Sequence, residues 1–378
     1  MLQNKIYQNF ILEILKTFLV IIFGLSIIAW TVRAVNFLDL IVENGYSVIT
    51  YFQYSFLNFM GIFTKFVPLS FLLALVIFII RQINENEFVI LWTSGVKKLT
   101  VVNLFLLTSV FILLFYLIFS AFITPYSLNK SRNLLSKDNF NSFLPTIRVQ
   151  QFSDSFKGFT FLVENRVNNE IENVFIFDNS NILKNISANQ MDKSSKTIIA
   201  EKGLVQEKGM TLFNGQILST NKENLKNNII KFEQLNIDLK NLQTNTIKLP
   251  KLQETSTYDL ASCLIGYKTN TLLNCQESTK KEIITVLNRR IVLPIYIPLI
   301  SLLCSFLLIK KKSRNNFLNN KYTIFALSFL ILLYSELIIR YTGLSKIVSI
   351  IFLISPLILI PLIYLTLIYK LKRESQVK

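Results

Sequence analysis

A helical membrane protein of six transmembrane spans, three plus three, with one inserted antiparallel β domain, is the fold class that three observations predict. Apolar residues make up 51% of the 378 and are gathered into long blocks rather than spread at helical or strand period. The blocks are long enough to cross a bilayer, which takes about 20 apolar residues. They also fall into two groups, separated by residues 126–286, where apolar content drops and short alternating runs replace the blocks.

Composition removes several function classes. The formal charge of +17 sits mainly in basic clusters flanking the apolar blocks, the pattern of membrane topology signals rather than of a nucleic-acid surface. Histidine is absent, which excludes histidine acid–base catalysis, histidine metal sites and a phosphohistidine relay. No G-x-x-x-x-G-K-[ST] sequence or other glycine-rich phosphate loop occurs, so no nucleotide site is expected in this chain.

Taken in order, the first block runs from about Phe10 to Val32. It is too long for a signal peptide, lacks a small-residue cleavage site and is followed by further spans, so it reads as a retained helix. The second, Tyr51–Ile80, contains Lys65 and Pro68 and predicts a tilted or kinked helix. The third, Leu99–Thr124, carries no charge and is expected to end at Pro125. The domain division is therefore 1–125, 126–286 and 287–378. In the middle segment twenty Lys/Arg face sixteen Asp/Glu, a balance suited to a water-exposed domain. Short runs at 159–163, 174–177, 197–200, 204–206, 211–213 and 216–219 predict eight or more strands in a sandwich, jelly roll or open barrel. Asn214-Gly215, between the last two runs, is a strong hairpin signal. After Pro250 the pattern turns helical. Spans four to six follow at Ile291–Ile309, Tyr322–Ile339 and Ile347–Tyr369.

Six spans put both termini on one side. The N-terminus, the 81–98 loop, the 310–321 loop and the C-terminus all carry basic excess, which assigns them to the cytoplasm and the β domain to the outer side of the membrane.

The loop Arg81–Lys98 is unusual for a connector. Asn84 can cap a helix over about 83–94 whose first turn carries Glu85 and Glu87, where acids suit the positive dipole end. Phe88, Leu91 and Trp92 then share one flank, and Gly95 with Lys97 and Lys98 closes the element. Such a helix serves either as a docking surface or as an interfacial helix resting in lipid headgroups.

Three helices, an external β domain and three helices resemble the lipopolysaccharide-export permease family, LptF/LptG. The likeness extends to N-F-L-D-L-I-V-E-N-G at 36–45, V-P-L-S-F-L-L-A-L at 67–75, E-F-V-I-L-W-T-S-G at 87–95 and L-N-R-R-I-V-L-P-I at 287–295. It covers essentially the whole chain, is specific in the membrane halves, and through F-L-D-L-I-V-E-N-G leans toward LptF over LptG. The resemblance implies an inner-membrane permease subunit of an ABC transporter that extracts lipopolysaccharide for cell-envelope biogenesis. Its implied partners are a paralogous permease (LptG), a dimeric ATPase (LptB) that holds the ATP and magnesium, and single-span LptC, which continues into a periplasmic bridge. No cofactor, metal or catalytic residue is expected in this chain. Another ABC-type permease for a lipid or lipoprotein, or a membrane-anchored envelope enzyme, are the alternatives.

The resemblance makes Glu87 the coupling-helix acid that meets the ATPase, supported by Phe88, Leu91 and Trp92. Because lipid A carries phosphates, Lys65 within the second span and the cations Arg33, Lys130, Arg132 and Arg340 near span ends become substrate-binding candidates, the alternative being snorkelling to headgroups. Glu336, one turn before Arg340, is placed to pair with it. Inward residues such as Phe159, Phe161 and Val163 would line an acyl-chain groove or an ordinary packed core. Apart from the family, Cys263 and Cys275 fall on the oxidising side and are expected to form a disulfide, the alternative being two buried thiols. Cys304 is a small apolar filler within the fourth span.

Overall fold

The computed structural model describes residues 5–42, 46–137, 149–156, 158–179, 194–206, 209–221, 227–238, 251–266, 275, 277–309 and 321–376. The basic cluster at 310–320 lies outside them. Six helical stretches are long and apolar enough to cross a membrane. The chain divides into two compact units, one of Met1–Thr31, Leu57–Lys130 and Leu249–Lys378, the other of Val32–Phe56 and Ser131–Lys248.

The first half contains α1 (Lys5–Asn36), α2 (Asp39–Val42), α3 (Val48–Asn84), α4 (Glu87–Thr93), α5 (Lys98–Ile118) and α6 (Thr124–Lys137). In α1 the buried stripe Phe10, Ile14, Phe18, Ile22 and Ser26 recurs every fourth residue, the spacing that keeps one face inward. Pro68 is accommodated inside α3. Pro125 does not end the third span. A π-helical turn over Phe119–Ile123 precedes it and α6 continues to Lys137. Proline has no amide to return to the turn before it, and the π turn together with a side-chain donor accommodates that loss. The Ala121 carbonyl, four residues back, accepts from the Thr257 hydroxyl at 2.5 Å instead.

The second half contains α7 (Thr257–Ile265), α8 (Glu277–Leu287), α9 (Tyr296–Ser305), α10 (Lys321–Thr342) and α11 (Lys346–Gln376). Ser256 caps α7, its Oγ accepting from the Asp259 amide at 3.1 Å, and Gly266 closes the helix at φ 88°. Between α8 and α9 the helix passes through a π turn (Asn288–Val292) and a 3-10 turn (Leu293–Ile295) with Pro294 inside it. Every residue of α9 is buried, so this helix is the axis of the helical unit, packed against α5, α10 and α11. By contrast α10 and α11 leave rows of large apolar side chains outward, Leu330, Leu337, Ile350, Ile358 and Leu365 among them, as helices facing hydrocarbon do.

The sheet is a six-stranded antiparallel meander in the order β1 (Ser153–Phe156), β2 (Phe159–Val167), β3 (Glu170–Asp178), β4 (Ser194–Gln206), β5 (Gly209–Asn221) and β6 (Asn227–Asp238). Among the described residues there are six strands where the runs suggested eight or more, because the runs at 197–200 and 204–206 form one strand and those at 211–213 and 216–219 another. Asn214-Gly215 is accordingly no hairpin turn but the middle of β5.

The gap between paired runs has a structural cause. Asn214 and Asn173 both take left-handed φ near 49° within strands, yet pairing resumes unshifted on either side: Ala200 with Gly215 and Lys202 with Phe213. Across the sheet, Glu164-Asn165, Glu172-Asn173, Glu201-Lys202, Phe213-Asn214 and Glu233-Gln234 occupy two adjacent rows. Burial switches parity there: in β4, Lys196, Ile198 and Ala200 are inward before the step, Gly203 and Val205 after it. The sheet is thus creased along these rows in β2–β6 without a change of register, and in β3 and β5 the left-handed Asn173 and Asn214 turn the chain where a bulge would shift it.

Candidate functional site

The stretch Arg81–Lys98 builds its geometry from ion pairs and rings. Asn84 does not cap α4; it is the last residue of α3, which the Arg81–Glu85 pair at 3.0 Å supports one turn further. Asn86 precedes α4 with φ 58° and no side-chain cap. At the other end Gly95 takes φ 88°, and the Val96 amide reaches back to the Leu91 carbonyl at 3.2 Å, a Schellman closure.

α4 is held against the helical unit by its apolar flank. Phe88 and Leu91 are buried, and the Phe88 ring meets those of Phe10 and Phe78 at 6.2 and 6.5 Å. Trp92 is half-buried and stacks on Phe88 at 5.6 Å. These three residues therefore anchor α4 rather than present it. The outward side consists of Glu87, Val89, Ile90 and Thr93, with Ile90 66% exposed. Periodicity revealed one apolar flank but not that residues far off in α1 and α3 would cover it.

The loop is tied to neighbours on both sides. Arg81 pairs with Glu13 of α1 at 2.7 Å, and buried Gln82 donates to the same carboxylate at 3.3 Å. Beyond α4, the Lys98 ammonium donates to Glu374 of α11 at 2.7 Å and to the Leu308 carbonyl at 3.0 Å. The ends of α1, α9 and α11 thus converge on this stretch.

The cations singled out as substrate candidates are distributed over both units: Arg33 and Arg132 in one, Lys65, Lys130 and Arg340 in the other. Arg33, Lys65, Lys130 and Arg340 are exposed and Arg132 is half-buried. Glu336 pairs with Arg289 of the neighbouring span at 3.3 Å instead of with Arg340, since a partner on the adjacent helix faces it directly. Phe159, Phe161 and Val163 are closed into the core of the sheet. A cleft of about 490 Å³ opens instead at the crease, where Phe175, Ile199, Glu201, Asn214, Gln216 and Phe232 line it. At the end of the inward row Asp178 and Lys196 face each other across β3–β4, both buried. Burial pushes the Lys196 ammonium below its ordinary range, and Asp178 opposes that shift.

Two further features concern the segment that leads from the sheet back into the helices. Cys263 and Cys275 are joined in a disulfide with Cα atoms 5.9 Å apart, so the two thiols are paired rather than free; Cys304 is buried and unbridged. Arg290, directly before the fourth span as the sequence bounds it, was not legible as a functional residue. It is 5% exposed and donates to the carbonyls of Thr255 and Gln253 at 3.0 Å, Leu252 at 3.4 Å and the Thr257 hydroxyl at 2.9 Å. Through Thr257 it reaches the Ala121 carbonyl, linking the fourth span, the connector and the end of the third.

The arrangement offers anchorage, an exposed helical face and interhelix ties. Among the described residues no cluster of acids and cysteines could hold a metal ion. No curated protein matches the chain. Residues 10–370 match the family of the lipopolysaccharide export system permease LptF/LptG, and with nearly its whole length so matched the chain belongs to that family.

Proposed function

We propose that this lipopolysaccharide export permease is the LptF-type half of an ATP-driven complex, paired with an LptG-type chain and driven by a dimeric LptB-type ATPase. In this reading it draws lipopolysaccharide from the inner membrane and hands it to LptC and the periplasmic bridge. Six spans and four basic segments support cytoplasmic termini and a periplasmic β domain.

The observation that carries the reading is the disposition of α4. A short helix anchored by Phe88 and Leu91 and turned outward through Glu87, Val89 and Ile90 is suited to seat in a groove of a motor subunit. An acid beside exposed aliphatic side chains supplies both register and buried area at such an interface. A helix resting in headgroups would need no acid in its outward first turn. Glu87→Ala and Ile90→Asp are expected to weaken co-purification of the ATPase by about tenfold while the permease still accumulates in the membrane. Undiminished ATPase capture with normal export in both variants would defeat the reading.

For the substrate, Arg33 at the end of the first span and Lys65 within the second are the favoured contacts to lipid A phosphates, because a cation in or at an apolar span is costly to desolvate and a bound anion offsets that cost. Photo-crosslinkers at positions 33 and 65 are expected to label lipopolysaccharide. Labelling confined to positions in the sheet would assign both residues a structural part.

A further inference from the structure

Lys98 stands where local electrostatics disfavour it. It is the first residue of α5, and a cation in the first turn opposes the positive end of the helix dipole. Its compensation is entirely non-local. The ammonium donates to the Glu374 carboxylate at 2.7 Å and to the Leu308 carbonyl at 3.0 Å, and it lies 5.8 Å from the centre of the Trp92 ring. One side chain thereby touches α4, the C-terminal turn after α9, and the last turns of α11. Leu308 ends its 3-10 turn, and the ammonium donates to its carbonyl. Both partners of the ion pair are largely sheltered, at 18% and 25% side-chain exposure, which lessens screening relative to an ordinary surface pair.

The other flank of α4 is fastened differently. Arg81 bridges Glu13 and Glu85, so the turn before α4 belongs mechanically to α1 and α3. The turn after it belongs, through Lys98, to α9 and α11. The first and last thirds of the chain therefore meet beside α4 through the Lys98–Glu374 pair, while the Arg81 network ties α1 to α3.

We propose that Lys98 is a positioning residue for transport: it carries a displacement of α4 to the cytoplasmic ends of the fourth and sixth spans. Without it, α4 moves with the first three spans alone and the second group is driven only by packing. This rests on the reading of α4 as the helix that seats in the motor.

The test uses the complete complex, this chain with its partner permease and ATPase, reconstituted in liposomes containing lipopolysaccharide. The readout is lipopolysaccharide released per ATP hydrolysed, which a loss of assembly alone does not change. Lys98→Glu and Glu374→Lys are each expected to lower that ratio by about fivefold or more. The exchanged pair Lys98→Glu with Glu374→Lys is expected to return it to within about twofold of the unsubstituted complex, as is Lys98→Arg. A swap no better than either single variant, or single variants with an unchanged ratio, overturns the proposal. Failure of the docking reading has a separate signature: Glu87→Ala keeps the ATPase bound and exports normally, whatever the Lys98 series does.

Discussion

Replacing Arg290 by alanine removes a buried cation that donates to three main-chain carbonyls and one hydroxyl. The contact to Leu252 at 3.4 Å is weak, which leaves three good charge-assisted bonds at 2.9–3.0 Å. Each such bond is worth about 1.5–3 kcal/mol, against several kcal/mol spent in desolvating the guanidinium. Leaving a buried neutral acceptor unpaired costs about 1–3 kcal/mol, and water entering the vacated space recovers part of that. A local loss of about 3 kcal/mol corresponds to a roughly 150-fold change in an opening equilibrium. The reporters are the amides of Glu254, Asp259 and Leu260, bonded within the connector to Lys251, to the Ser256 hydroxyl and to the Ser256 carbonyl. Hydrogen exchange on the full chain in detergent should show them opening about a hundredfold faster in Arg290→Ala. Thr257→Val, which removes the onward link to Ala121 and one of the three good bonds of Arg290 but leaves the two to carbonyls, should give a smaller acceleration in the same segment. Unchanged protection of these amides in Arg290→Ala would refute the assignment of Arg290 as the clamp of the connector.

Two shorter predictions follow from packing and cross-linking. Gly215→Ala drives a Cβ into the Ile199 carbonyl and the Phe232 ring, and should lower stability by about 1–3 kcal/mol. Gly24→Ala, with open space around it, should leave the thermal midpoint unchanged, and equal midpoints for the two variants would contradict the close approach at the crease. Loss of the Cys263–Cys275 bridge, which spans a separation of 12 residues, should cost about 3 kcal/mol in the chain-entropy view. A Cys263→Ser, Cys275→Ser protein should unfold earlier than the native chain and be insensitive to reductant; identical unfolding with and without reductant in the native chain would contradict it.

Much of this architecture was legible because membrane and strand impose different periods. Apolar blocks marked all six spans, and the mixed-charge stretch marked the sheet. Boundaries were less legible where a local rule met a longer-range one: Pro125 reads as a stop, but a π turn and a hydroxyl from α7 let the helix continue. The crease had a signal in the repeated pairs Glu-Asn, Glu-Asn, Glu-Lys and Glu-Gln. Each pair reads as a break between strands, because strict alternation is the only strand pattern that period alone supplies. In the site, Glu87 stood out as an outward acid, but the inward turn of Phe88 depends on Phe10 and Phe78. Lys98 and Glu374 lie 276 residues apart, and no spacing rule connects positions so distant. Arg290 was hidden for the same reason, since its acceptors are backbone carbonyls that carry no residue identity.

The central claim, that an ATP-driven stroke arriving at α4 moves lipopolysaccharide, is tested most directly by following lipopolysaccharide out of liposomes that contain the complete complex. The account predicts transfer to a periplasmic acceptor that requires hydrolysable ATP and falls at least about tenfold when Glu87 and Ile90 are both replaced. Transfer that proceeds unchanged without ATP, or an ATP-dependent release of a lipoprotein with none of lipopolysaccharide, would contradict it.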